Sequence, residues 1–142
     1  MSEQNKAASR AAFEAWSNGD LDNLDAFIAV DVIHHDPYDP YGADGLSGMK
    51  KLIRKNRNLY PDLRILIEDQ IAEGDKVATR WIASMNHNGK QVTLREITID
   101  RFENGKIVEA WRSMDMLGLR QQTGALAALP KRSKIRSSEN ES

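Results

Sequence analysis

The chain has 142 residues, 40% hydrophobic and 29% charged, with a formal net charge of −1 and no cysteine. Such a chain is long and apolar enough for one globular domain with a buried core, which excludes an intrinsically disordered protein. The charge balance provides no global field for nucleic acid or an anionic membrane, and without cysteine there are no disulfides, thiolate nucleophiles or Cys-ligated metals.

The N-terminus, "MSEQNKAASRAAFEAW", mixes acid and base and reads as neither a signal nor a transit peptide. No apolar run reaches membrane-spanning length, so a cytoplasmic location is expected. Ala8, Ala12, Phe13 and Trp16 fall at helical spacing, which predicts a helix from Glu3 to Ser17 ending at "SNGD". Asp20 is placed to cap a second helix with Leu21, Leu24, Phe27 and Ile28 as its apolar stripe. "VIHHDPYDPYGADG" predicts a short extended piece and then a loop punctuated by proline and glycine. A third helix is expected from Leu46 to Leu59, with Met49, Leu52 and Ile53 inward, and "YPD" breaks it.

From Leu63 the period changes to two. Leu63, Ile65 and Ile67 alternate with Arg64, Leu66 and Glu68, and "EGD" turns the chain. Further strands are expected over Val77–Met85, Val92–Phe102 and Ile107–Met116, joined by Asn-Gly hairpins in "NHNGK" and "ENGK". Helices followed by long antiparallel strands predict an α+β fold, a curved sheet wrapped around three N-terminal helices. One domain is expected over residues 1–126, followed by a polar, disordered tail over 127–142 that contains "KRSKIRSSENES".

Chemistry is expected in few places. In an extended "HHDP" segment His34 and His35 point to opposite faces, so they do not readily share one metal ion, and no metal site is expected. One of them is then exposed while the other makes a hydrogen bond at the sheet edge. In a regular last strand Ile107, Glu109, Trp111, Ser113 and Asp115 share one face, and Val108, Ala110, Arg112 and Met114 the other. Asp115 has two readings: a carboxylate desolvated in a semi-apolar cavity, able to carry a proton near neutrality, or a strand-end cap on the following "MLGL" turn. Arg80 and Glu109 lie in apolar strands and call for partners, most simply a structural Arg–carboxylate pair. No phosphate loop, nucleophile elbow or dinucleotide fingerprint is present.

In this order and spacing, "HHDP", "YPDLRILIED", "EGDKVATRW", "RFENGKIVEAW" and "MDMLGLRQQTG" resemble the SnoaL-like polyketide cyclases (ester cyclases) of the NTF2-like superfamily. The resemblance runs from about His35 to Gly124. It implies a cone-shaped α+β barrel whose bent antiparallel sheet and three helices enclose a pocket. It also implies intramolecular aldol ring closure of a small hydrophobic carbonyl substrate with no metal or organic cofactor. On this resemblance Asp115 is the catalytic acid/base and His35 the pocket histidine that donates to the enolate oxygen. Trp111, Ser113, Arg80 and Glu109 would then belong to the substrate pocket. The chain departs from many members in its short "NGKQV" hairpin and in "MNH" in place of a Gly-Thr-His motif. The other readings are a related isomerase, hydratase or hydrolase, a non-catalytic binder of a hydrophobic ligand, and an interaction module. A homodimer or homotetramer through the sheet is expected, with no nucleic-acid or membrane partner.

Overall fold

The helical spacing at the N-terminus produces α1, Ser2–Asn18, which turns Ala12, Phe13, Ala15 and Trp16 into the core. Gly19 follows with φ of +73°, the left-handed conformation that ends a helix. The computed structural model describes residues 2–39 and 44–124; the tail expected over 127–142 lies outside the described residues. The second expected helix is a six-residue 3-10 helix, Leu21–Ala26, and the Asp20 side chain does not cap it. That segment is too short to carry a stripe, so Leu24 alone of its residues is buried, and Ile28 belongs to the next strand.

Strand β1, Ile28–His35, is longer than the short extended piece expected there, and it lies parallel to the last strand. The sheet is therefore mixed rather than wholly antiparallel. Helix α2, Gly45–Leu59, buries Leu46, Met49, Leu52 and Ile53. Strands β2 (Arg64–Glu73), β3 (Lys76–His87), β4 (Lys90–Glu103) and β5 (Lys106–Met114) form an antiparallel run, and the strand order is β1-β5-β4-β3-β2. Both Asn-Gly turns have positive φ at each central residue, +53° and +81° at Asn88-Gly89, +53° and +79° at Asn104-Gly105. Those values fit the hairpin turn whose twist matches that of the strands. The expected fourth long strand stops at Met114, and α3, Met116–Thr123, follows. The whole is an α+β arrangement with a curved, unclosed sheet, α1 packed against β2 and β3, α2 against β1 and α3 against β4. No helix among the described residues is long and apolar enough to cross a membrane.

Strand alternation decides which side chains enter the core. On β3, Val77, Thr79, Trp81, Ala83 and Met85 face inward. On β4 the inward set is Val92, Leu94, Glu96, Thr98, Asp100 and Phe102, so two carboxylates share the buried face with apolar neighbours. On β5 the alternation shifts. Ile107 pairs with Phe102 while Glu109 pairs with Arg101, so Val108 is an extra residue, a β-bulge. Ile107 and then Ala110 are buried, and Arg112 continues the inward set. Glu109, Trp111 and Ser113 do share a face, as expected, but it is the outer face. This face leaves Ile97 and Ile99 exposed, with Leu66 and Ile33 exposed on the edge strands β2 and β1.

Candidate functional site

The inner face of the sheet and the helices bound a cavity of about 210 Å³, walled mainly by apolar residues such as Leu63, Met85, Leu94 and Met114. Its polar group is a buried cluster from three distant parts of the chain. Arg112 of β5 donates through Nε and Nη2 to both oxygens of Glu96 on β4, the second contact at 3.1 Å. Through Nη1 it donates to Asp36 Oδ2 at 3.1 Å. The three side chains are 7%, 0% and 2% exposed, so the ion pairs are held away from water. Tyr38 N–H donates to the other Asp36 oxygen at 2.9 Å and fixes the carboxylate as the chain leaves β1.

Aromatic rings complete this end of the cavity. The guanidinium carbon of Arg112 lies 5.0 Å from the Trp16 ring centroid and 5.4 Å from that of Trp81. Cation–π attraction of this kind holds the guanidinium against both indoles. Trp81 Nε1–H donates to Thr98 Oγ1 at 2.9 Å. Trp16 Nε1–H is buried and has no acceptor among the described residues, although Trp16 lines the cavity. A buried donor without a partner costs stability unless something accepts from it. Burial pushes the Glu96 carboxyl above the ordinary range; Arg112 opposes that rise and the neighbouring Asp36 charge adds to it. A carboxyl raised in this way is suited to hold or release a proton beside the guanidinium.

A second buried acid lies deeper. Asp100 accepts from Ser9 Oγ at 2.8 Å, and burial, partly offset by that hydrogen bond, pushes its carboxyl up to about 6. An acid whose folded value exceeds its unfolded value of 3.8 binds a proton more tightly in the folded state. Its stability contribution is complete below that unfolded value and is lost as pH rises through about 6. The span corresponds to roughly 3 kcal/mol. Asp100→Asn should flatten the fall in unfolding free energy between pH 4 and pH 7, measured by urea denaturation; an unchanged slope would place that fall elsewhere.

The six residues expected to form the site lie elsewhere. Asp115 is exposed and caps α3, accepting from Gly118 N–H at 2.8 Å. A Cβ at Gly118 would collide with that carboxylate, so the glycine and the cap belong together. His35 stacks on Trp111 with ring centroids 5.3 Å apart and pairs with Glu109 at 2.7 Å, all three on the outer face. The hydrogen bond from His35, with those from Arg101, holds the Glu109 carboxyl below its usual range. Arg80 is half-exposed and pairs with Glu68 at 2.9 Å, so Arg80 and Glu109 each have a partner but not each other. Ser113 and Asp115 are exposed and, with Arg80, Arg95 and Glu68, line an open groove of about 380 Å³ whose lining also includes Glu96. Among the described residues Asp115 and His35 do not share a cavity: the bulge at Val108 turns the Trp111 and Ser113 face of β5 outward, and His35 of β1 stacks on Trp111 there. His34 is the inward histidine, its side chain 5% exposed and paired with Asp39 at 3.0 Å.

The family model described as SnoaL-like polyketide cyclase matches residues 6–123. No curated protein matches the chain. Among solved structures, a loop-truncated variant of IdmH from Streptomyces antibioticus is similar at TM-score 0.75 and 27% identity, covering 83% of this chain and 98% of that one. TsrD from Streptomyces laurentii is similar at 0.76 and 27% identity, over 87% and 97% of the two chains. A SnoaL-like polyketide cyclase from Agrobacterium tumefaciens, at 23% identity, shares the fold with a TM-score of 0.72 over 83% and 96%.

Proposed function

Because the chain belongs to the SnoaL-like polyketide cyclase family, we propose that its cavity carries out cofactor-independent acid/base chemistry on a small carbonyl compound, with aldol-type ring closure as the reaction. The observation that carries this reading is the buried Asp36–Arg112–Glu96 cluster, the polar group of an otherwise mainly apolar cavity. One carboxylate of the cluster removes a proton α to a carbonyl, and the positive charge of Arg112, in the same lining, stabilises the enolate oxygen. The enolate carbon attacks a second carbonyl of the same molecule, a carbon–carbon bond forms, and the new alkoxide takes the proton back. Apolar walls hold the reacting groups together, which supplies the part of the acceleration that proton transfer does not.

This reading moves the acid/base role from Asp115 and His35 to residues that line the cavity. Its test needs no knowledge of the natural substrate. The protein should catalyse deuterium uptake at the methyl group of a one-ring aryl methyl ketone in D2O, and Glu96→Gln should remove the catalysis. A wild-type rate equal to that of buffer would leave ligand binding without catalysis as the better account.

We further propose that a second copy of the chain covers the outer face of the sheet. Ile97 and Ile99, 49% and 38% exposed, lie in a row between Arg95 and Arg101 on β4, and Leu66 of β2 and Ile33 of β1 are exposed at the two edges of the sheet. Large exposed apolar side chains gathered on one sheet face mark a candidate interaction surface. Sedimentation should give at least a dimer, and Ile97→Lys with Ile99→Lys should give a monomer with unchanged circular dichroism. A wild-type monomer at micromolar concentration would refute the proposal.

A further inference from the structure

The cavity's size and charge together narrow what it can accept, on the reading that it is the reaction site. A cavity of about 150 Å³ lined by aliphatic and aromatic side chains accepts a single benzene ring. Pockets for drug-sized ligands begin near roughly 300 Å³. At about 210 Å³, as bounded by the described residues, this cavity lies between the two. Its walls have little room to retreat: Trp81, Ala83, Met85, Leu63 and Leu94 are each 7% exposed or less and pack in the main core.

Charge supplies the second restriction. Arg112 makes three hydrogen bonds, all to carboxylates, two to Glu96 and one to Asp36. The Nε/Nη2 side of its planar fork, a feature that would recognise a ligand carboxylate, is already occupied by Glu96. Two carboxylates against one guanidinium leave an excess of one negative charge when both are ionised. A ligand anion would lose its hydration and meet that excess. A neutral ligand avoids that penalty.

We infer that the cavity selects uncharged carbonyl compounds of one or two rings and rejects both carboxylates and three-ring systems, because Asp36 and Glu96 outweigh the charge of Arg112 in a space of about 210 Å³. The natural substrate is then a small neutral ketone or hydroxyketone, or an acid presented as its ester.

Methyl NMR of the methionines reads occupancy directly, since Met85, Met114 and Met116 line the cavity and Met49 does not. Acetophenone and acetonaphthone should shift those three methyl signals and spare Met49, while acetylanthracene should not. Methyl para-acetylbenzoate should bind at least about 10-fold more tightly at pH 7.5 than para-acetylbenzoate, the scale of a like-charge mismatch in a buried site. Glu96→Gln removes the excess charge and should narrow that ratio. Equal binding of acid and ester, binding of the three-ring ketone as tight as that of the two-ring one, or no shift by any ketone would overturn the inference. Failure here is separable from failure of the proposed reaction. Selective occupancy without deuterium exchange overturns the chemistry alone, and exchange without selectivity overturns the selectivity alone.

Discussion

Arg112→Met is expected to lower the unfolding free energy by about 3–5 kcal/mol at neutral pH, the cost of removing one partner from a buried ion pair. Methionine fills much of the same space between Trp16 and Trp81, so the loss comes from charge rather than from a void. What remains is two carboxylates, Asp36 at 2% and Glu96 at 0% side-chain exposure, with no cation between them. The loss should be smaller at pH 4 than at pH 8, because protonated carboxyls do not need the guanidinium. Adding Asp36→Asn and Glu96→Gln to the same chain should restore part of the stability. Urea denaturation followed by circular dichroism measures all of this. A loss below about 1 kcal/mol, the level of an exposed ion pair, would mean that water reaches the cluster.

The second large effect is on rate. Glu96→Gln and Asp36→Asn should each lower α-proton exchange by about 10²–10⁴-fold, the usual contribution of a positioned acid or base. Their effects should fall well short of multiplying, because the two carboxylates share one guanidinium and act as a unit. Glu96 is pushed above the ordinary carboxylate range, chiefly by burial. The acid limb of the wild-type pH–rate profile should therefore lie above that of an exposed carboxylate, and activity should rise as pH passes through it. In Glu96→Gln that limb should move or disappear. A profile identical to wild type would exclude Glu96 as the titrating group.

Most of the architecture was legible because local physics fixed it. Helical spacing gave α1 and α2, and two Asn-Gly turns with alternating flanks gave the hairpins around β4. What was not legible depended on contacts far apart in the chain. Only the stretch from Val32 reads as extended in the sequence, and Ile28 reads as helical, because the strand's one neighbour among the described residues is β5, far along the chain. Helix α3 buries no residue of its own, so its apolar spacing was too weak to separate from a strand end. The buried cavity cluster was hidden chiefly by one geometric feature. Ile107 marks the inner face, and carrying that face forward by strict alternation puts Asp115 inside; the bulge at Val108 reverses it. Alternation on β4 contained the needed signal, since Glu96 and Asp100 fall in register with Val92, Leu94 and Phe102. It was ambiguous because Ile97 and Ile99 make the outer face apolar as well. Asp36 stood in the "HHDP" motif, but attention to the histidines hid the residue that reaches the cavity.

The central claim is that proton transfer belongs to the cavity cluster and not to the strand-end aspartate. The most direct measurement compares α-proton exchange on acetophenone by wild type, Glu96→Gln and Asp115→Asn, each first shown to be folded. The account predicts a loss of about 10²-fold or more in Glu96→Gln and a rate within a few-fold of wild type in Asp115→Asn. Loss of exchange in Asp115→Asn with Glu96→Gln fully active would contradict it and return the acid/base role to Asp115.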